Sequence, residues 1–295
     1  MGLRLDWEIE AERSVVRDRG EDPHAAQRRR AARFRLLLTV GLVVLIVGGL
    51  AGAVLYRWNQ VNRQIEQLLR DTVAAEVTAL RIGDWNSFAQ IQRSATEDWL
   101  TVQRNTFDDY QRLLESNPTA QLTGHILDAT IDGQRARVQV QEIVDGVAYA
   151  RTWFYWRYDA DYDGDGEIDG WRHVPPDPTF WGSASTYEGD AVQVNYREVD
   201  AALAQAMGIR VDEWLSIGCG ALTCDDIPTL QIDILSDGVT GVGWSPDDPW
   251  RLQLLSPYTD RARTDMPFAP GLQIQASSLL AERLMTHVRG GWAVN

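Results

Sequence analysis

The sequence predicts an α+β protein that one transmembrane helix holds in a membrane. A stretch of twenty-one uncharged residues, Leu36–Tyr56, predicts the membrane span. Apolar residues at helical spacing follow it, and alternating strand patterns separated by turn signals come next. The expected order is a cytoplasmic tail at 1–33, a transmembrane helix at 34–57, a helix-plus-curved-antiparallel-sheet domain at 58–182 and a second small α+β domain at 190–295.

Charge is distributed unevenly along the chain. Nine arginines and seven acidic residues precede Leu36, whereas nineteen arginines and thirty-five acidic residues follow Tyr56. The larger part is therefore strongly acidic, which argues against nucleic acid or an anionic membrane surface as its partner.

The span and its flanks predict the orientation in the membrane. At ~1.5 Å per residue, a helix over Leu36–Tyr56 crosses a hydrocarbon core of ~30 Å. Basic residues favour the cytoplasmic side, so the N-terminus is expected inside and the folded remainder outside the cytoplasm of a cell membrane. The arginines that crowd the N-terminal flank are Arg28, Arg29, Arg30, Arg33 and Arg35.

Two alternatives concern this segment. Ala51-Gly52-Ala53 is compatible with the cleavage site of a signal peptide, although the long polar region before the span favours an anchor. Gly48 and Gly52 form a GxxxG pair that predicts a homodimer through one helix face, but small residues are common in membrane helices in general.

The first domain is expected to begin with two helices. Apolar residues at three- and four-residue steps continue the first helix to about Leu80, and Gly83 ends it. A short turn, DWNSFAQI, starts at Asp84. Ser94 or Thr96 then caps a second helix that runs to about Leu114.

A change of period marks the sheet of the first domain. The dipeptides Asp132-Gly133 and Asp145-Gly146 are hairpin signals between strongly β-forming segments. The predicted strands are His125–Ile131, Arg135–Val144, Val147–Tyr158 and about Gly170–Val174.

The segments RIGDWNSFAQI and VAYARTWFYWRY, with the helices and strands around them, resemble a known family. Over Asn59–Gly182 the chain is similar to the NTF2-like (SnoaL/cystatin-like) extracytoplasmic domains of bacterial membrane proteins. The resemblance implies a cone formed by helices and a curved sheet. Catalytic members place an Asp–His pair or similar acids in this cone, and no such pair is assigned here. His125 opens a strand and is the histidine considered for the interior.

A polar linker, Ser183–Gly189, is expected to separate the second domain. The strands expected after the linker are Ala191–Tyr196, Thr229–Leu235 and Trp250–Leu255. The helices expected there are Val199–Leu215 and Ser277–Val288. This order resembles the front half of zinc-dependent gluzincin peptidases. The comparable helix reads AERLM, in which Glu282 occupies the glutamate position of HExxH and apolar residues replace both histidines. The resemblance therefore implies a non-catalytic relative.

The segment DYDGDGEID carries the spacing of a calcium loop. Asp161, Asp163, Asp165 and Asp169 stand at positions one, three, five and nine of an EF-hand-type loop, with Gly166 at position six. Arg172 stands where the closing glutamate would be, and the flanks are strands. A calcium site and a solvated acidic hairpin tip are both compatible with this pattern.

Cys219 and Cys224 are the two cysteines of the chain. Outside the cytoplasm such a close pair is expected to form a structural disulfide. A redox or metal pair is the alternative, although C-x4-C lacks the usual C-x-x-C spacing.

These features favour a non-catalytic binding or scaffold protein outside the cytoplasm. Its partner is an unknown protein or a small ligand. The protein is expected to sense this partner or to relay a signal to a cytoplasmic partner. No GxSxG or phosphate-binding loop occurs, and no cofactor other than calcium is expected. One alternative is an enzyme or small-ligand binder that uses the cone as its pocket. The other is a structural component of a larger envelope complex.

Overall fold

The computed structural model describes residues 23–161, 169–224 and 227–292. These residues form five α-helices and two five-stranded sheets, which confirms the predicted α+β class. Contacts divide the chain into two units, one that ends at Arg63 and one that begins at Gln64.

Helix α1 spans Pro23–Ile82. Its stretch Arg33–Ile82 is long and apolar enough to cross a membrane. The large apolar side chains of Leu36–Tyr56 are 52–72% exposed, on all sides of the helix. No acidic residue occurs between Pro23 and Ile65. Residues 23–63, the described part of the first unit, are therefore a cationic helix, and no other described residue covers its apolar surface.

The second unit begins with the end of α1 and two further helices, α2 at Trp85–Ile91 and α3 at Glu97–Ser116. Asp84 caps α2, since its carboxylate accepts hydrogen bonds from the Ser87 backbone N–H at 3.2 Å and from the Ser87 hydroxyl at 2.6 Å. The turn predicted at Asp84 is thus a short capped helix.

The first sheet contains β1 at Gln121–Asp132, β2 at Arg135–Val144, β3 at Val147–Tyr158, β4 at Gly170–Val174 and β10 at Ala262–Arg263. β1, β2 and β3 are neighbours, while β4 and β10 pair antiparallel with opposite ends of the free edge of β3. The bounds of β2, β3 and β4 are those that the sequence predicted.

One apolar core lies between α1, α2, α3 and one face of this sheet. Its buried members include Leu69, Val73, Val77, Leu80, Phe88, Phe107, Tyr110, Leu122, Val138, Val140, Trp153, Tyr155 and Trp171. The buried residues of α1 recur at three- and four-residue steps, so they lie on one face of the helix. Those of β2 recur at every second residue, so they lie on one face of the sheet.

The second sheet contains β5 at Ala184–Glu188, β6 at Val192–Arg197, β7 at Leu230–Leu235, β8 at Val242–Trp244 and β9 at Arg251–Leu255. Its order is β5-β6-β7-β9-β8, in which β6, β7 and β9 are parallel. Helices α4 at Ala201–Leu222 and α5 at Pro270–Trp292 contribute to its core.

Two expectations for this region were wrong. The predicted linker Ser183–Gly189 contains β5, which pairs antiparallel with β6. The helix expected to end at Leu215 continues to Leu222 because apolar and small residues extend its buried face, so Cys219 lies within it.

The two sheets also share contacts. β10, which follows the second sheet in the chain, pairs with β3 of the first sheet at Ala262↔Ala150. Ala150 and Phe154 of β3 belong to the same core as α4 and α5. These contacts place residues from Gln64 onward in one compact unit.

Replacing Gly208 by alanine is expected to destabilise the second unit. A Cβ atom there would stand 2.3 and 2.4 Å from two ring carbons of Tyr187. Because Tyr187 must shift, we expect the free energy of unfolding to decrease by about 1–3 kcal/mol. Thermal melting of the full chain in detergent measures this decrease. Gly220 of the same helix has no atom within 4 Å of its Cβ position and serves as the control. Equal losses for Gly208→Ala and Gly220→Ala would show that Tyr187 does not pack on Gly208.

Candidate functional site

Four buried polar side chains meet inside the first core, and we name them the Glu76 cluster: Glu76, Gln92, Tyr155 and His173. Glu76 is fully buried on α1. Its Oε1 atom accepts a hydrogen bond from Gln92 Nε2 at 3.0 Å and lies 2.6 Å from His173 Nδ1, and its Oε2 atom accepts one from the Tyr155 hydroxyl at 2.7 Å. The carboxylate therefore joins α1 to the β3–β4 region of the sheet.

Aromatic rings enclose His173. The ring centroids of Trp99, Trp153 and Tyr155 lie 5.5, 5.5 and 5.2 Å from the imidazole centroid. His173 is 6% exposed, and these rings and Glu76 are among the groups that cover it. A carboxylate that binds one ring nitrogen fixes the orientation of the imidazole, as in general-base pairs of enzymes.

The surroundings of the cluster keep the Tyr155 hydroxyl protonated. Burial raises the pKa of Tyr155 well above its usual value, and the charge and hydrogen bond of Glu76 raise it further. The Oε1 atom of Gln92, within the cluster, and Nε1 of the neighbouring Trp99 are buried and have no hydrogen-bond partner among the described residues. The cluster is thus a sealed polar centre in an apolar core.

The sequence patterns did not predict this cluster, since neither Glu76 nor His173 is among the predicted site residues. The signal was present, since Glu76 stands at the buried spacing set by Leu69, Val73 and Leu80. A carboxylate on an apolar helix face requires a buried partner.

A second buried carboxylate, Asp200, lies just before α4. It accepts a hydrogen bond from Trp181 Nε1 at 2.7 Å and one from the Ser256 hydroxyl. Burial raises the pKa of Asp200 to about 6, although these two hydrogen bonds and the charge of Arg137 act in the opposite direction. Asp200 joins three separate segments of the second core.

The raised pKa of Asp200 predicts a pH-dependent stability. The folded state binds this proton more tightly than the unfolded chain, so the contribution favours folding at low pH and is lost as pH rises from about 4 to about 6. Asp200→Asn removes the titration while it keeps an acceptor for Trp181. As the pH rises from about 4 to about 6.5, the free energy of unfolding of the variant should increase relative to that of the native chain by up to about 3 kcal/mol, as measured by thermal melting. If the difference in stability between the two chains does not change with pH, the pKa of Asp200 is not raised.

The residues of the predicted calcium loop are described only in part. Asp163 and Asp165 lie outside the described residues. Asp161 is exposed, whereas Asp169 is buried and binds Arg172 Nη2 through Oδ1 at 3.0 Å. Within the described residues, no three His, Cys, Asp or Glu side chains are placed to hold a metal ion. The calcium site stays a prediction.

The other predicted residues lie apart from the Glu76 cluster. His125 is exposed on β1, and Glu282 is exposed on α5. Cys219 and Cys224 are free thiols in this structure, so the disulfide also stays a prediction. Gly48 and Gly52 have no atom within 4 Å of their Cβ positions.

Comparison with known proteins gives no relative from which a function could be transferred. No protein-family model matches the chain, and neither curated proteins nor solved structures give a match. The NTF2-like and gluzincin resemblances remain hypotheses.

Proposed function

We propose that the chain is a single-pass membrane protein that displays a non-catalytic binding or scaffold unit outside the cytoplasm. The exposure of Leu36–Tyr56 carries this proposal. Its large apolar side chains are 52–72% exposed around the whole helix, and each would gain about 1.5–3 kcal/mol from burial. A lipid bilayer covers all sides of a helix at once, which a docking groove does not.

The charge distribution supports the proposed orientation. Five arginines lie within Arg28–Arg35, whereas Arg57 and Arg63 flank the other end of the span. The more basic side favours the cytoplasm, which places the acidic second unit outside. Relay to a cytoplasmic partner and a homodimer through Gly48 and Gly52 belong to this proposal.

The Glu76 cluster supports a structural role for the cone. Both carboxylate oxygens of Glu76 have partners, and the side chains of Glu76 and His173 are 1% and 7% exposed. A binding or scaffold function would then use the outer surface of the unit, whose acidity favours basic partners.

Two measurements test the proposal. The full chain should remain in the membrane pellet after an alkaline wash, and it should co-purify with another protein or with a second copy after mild detergent extraction. Release by the wash would exclude the anchor. A monodisperse monomer without a co-purifying protein would exclude the scaffold function.

The alternative is an enzyme or small-ligand binder that uses the cone, and the convergence of Glu76 and His173 favours it. A histidine-acylating reagent separates the two functions. If the cone is closed, His173 stays unmodified in the folded chain while the exposed His125 reacts, as peptide mass mapping would show. Reaction of His173 at the rate of His125 would show an open cone and favour the alternative.

A calcium ion at Asp161, Asp163, Asp165 and Asp169 is also proposed, on the spacing of these carboxylates. Calcium at millimolar concentration is then expected to raise the melting temperature of the full chain, because a ligand that binds the folded state stabilises it. An Asp163→Asn/Asp165→Asn variant should lose this shift. No shift up to ~10 mM calcium would remove the site.

A further inference from the structure

The end of α4 brings Cys219 and Cys224 together. Cys219 lies in the last turn of the helix, and Thr223 follows that turn in the left-handed conformation, with φ 53° and ψ 52°. The Cys224 backbone N–H donates a hydrogen bond to the Cys219 carbonyl oxygen at 3.2 Å. This bond turns the chain back over the helix end, so the two cysteines lie next to each other there.

A cavity of about 520 Å³ opens at this thiol pair. Its lining includes both cysteines, the acidic residues Asp190, Asp212 and Glu213, and the apolar residues Leu215 and Ile227. Its volume lies in the range of small-molecule sites, about 300–1,000 Å³. Both cysteines are partly exposed, so a reagent in the cavity can reach the sulfur atoms.

The loop around the cavity is held without a bond between the sulfurs. Asp212 on α4 accepts hydrogen bonds from the backbone N–H groups of Asp190 at 3.1 Å and Ala191 at 2.9 Å. A Cβ atom on Gly189 would stand 1.8 Å from Asp212 Oδ2, so this close approach needs glycine. The cavity wall therefore has its own support, and a disulfide is not required to form it.

We propose that Cys219 and Cys224 form a reversible dithiol–disulfide couple that exchanges with a low-molecular-weight disulfide in this cavity. The sulfurs are not at bonding distance in this structure, but the backbone hydrogen bond from Cys224 to Cys219 holds the two residues next to each other, as ring closure requires. The proposal does not depend on the membrane anchor.

Exchange proceeds in two balanced steps. One cysteine thiolate attacks a sulfur of the incoming disulfide, which forms a mixed disulfide and releases one thiolate. The second cysteine thiolate then attacks the protein sulfur of the mixed disulfide and releases the other thiolate. Two protein thiols are oxidised, one external disulfide is reduced, and the two protons of the cysteines pass to the released thiols.

The chemistry of Cys219 makes the reduced form persistent. Burial raises the pKa of Cys219 to about 11, and its hydrogen bond and charge interaction with Cys224 act in the same direction. A thiol that is mostly protonated at neutral pH reacts slowly with oxidants. The raised pKa also slows the attack of Cys219 on an incoming disulfide, so exchange is expected to be slow at neutral pH and faster at higher pH.

Redox equilibration of the reduced full chain in detergent tests the proposal. The chain is incubated in buffers with different ratios of oxidised to reduced glutathione, thiols are alkylated, and intact masses are measured. In oxidising buffers the chain should carry no alkyl group, and its mass should be lower by two hydrogens than that of the reduced chain. Return to reducing buffers should restore two alkylated cysteines.

Single variants test the cavity and the mixed disulfide. Cys219→Ser and Cys224→Ser should each retain one glutathione in oxidising buffer, and the double variant should retain none. The proposal is overturned if the native chain carries two alkyl groups at every ratio, if its disulfide resists millimolar glutathione, or if neither single variant binds glutathione.

Discussion

Replacing Glu76 by alanine is expected to lower the stability of the second unit by about 3–5 kcal/mol. The substitution removes the acceptor of the Tyr155 hydroxyl and of Gln92 Nε2 and the partner of His173 Nδ1. These buried polar groups would then have no partner in an apolar core, which costs more than the lost bonds alone. Thermal melting of the full chain in detergent should show a decrease of roughly 10 °C.

Glu66 of the same helix provides the matched control. Its carboxylate pairs with Arg70 at 2.7 Å, but both side chains are more than 40% exposed. Glu66→Ala should therefore change stability by less than about 1 kcal/mol. If Glu76→Ala and Glu66→Ala melt at the same temperature, the Glu76 cluster does not hold α1 to the first sheet.

Two arginines in the span are expected to prevent membrane insertion. Leu45 and Val47 are 72% and 60% exposed in the middle of the charge-free stretch. An arginine at the centre of a membrane helix costs about 2.5–3.5 kcal/mol on insertion scales, so the double variant is penalised by about 5–7 kcal/mol. Most of the Leu45→Arg/Val47→Arg chain should leave the alkaline-resistant membrane fraction, as immunoblotting of a C-terminal tag would show.

The control places the same charges outside the span. Val61 and Leu68 are 50% and 58% exposed on α1 beyond Tyr56. Val61→Arg/Leu68→Arg should fractionate with membranes as the native chain does. Equal membrane retention of both double variants would mean that Leu36–Tyr56 does not lie in lipid.

Local signals explain what the sequence predicted well. The Asp-Gly pairs at 132–133 and 145–146 defined β2 and β3 to the residue because Gly133, Asp145 and Gly146 adopt the positive φ angles of hairpin turns. The helical spacing of apolar residues in α1 holds for Leu69, Val73 and Val77, which are buried, and fails for Val61 and Leu68, which are exposed. Such patterns depend on neighbours in sequence, so one chain is enough to read them.

Long-range pairing explains what could not be predicted. β5 carries Ser185, Thr186 and Glu188 and resembles a polar loop, and it is a strand only because β6 pairs with it. The two residues of β10 have no strand signal of their own and depend on β3, more than one hundred residues earlier.

The candidate site also depends on distant partners. Glu76 and His173 are separated by ninety-seven positions, and Asp200 and Ser256 by fifty-six. Polar residue types at such separations have no periodicity that links them. The sequence indicates that Glu76 needs a partner, but only the folded chain brings His173 and Tyr155 to it.

Labelling of single cysteines with a membrane-impermeant maleimide tests the central claim, the anchored topology, most directly. In a Cys219→Ser/Cys224→Ser background, a cysteine replaces either Ser14 in the tail or Ser183, which is exposed in the second unit. In intact spheroplasts, Ser183→Cys should be labelled and Ser14→Cys should react only after lysis. Labelling of Ser14→Cys with protection of Ser183→Cys would contradict the proposed orientation and place the acidic unit in the cytoplasm.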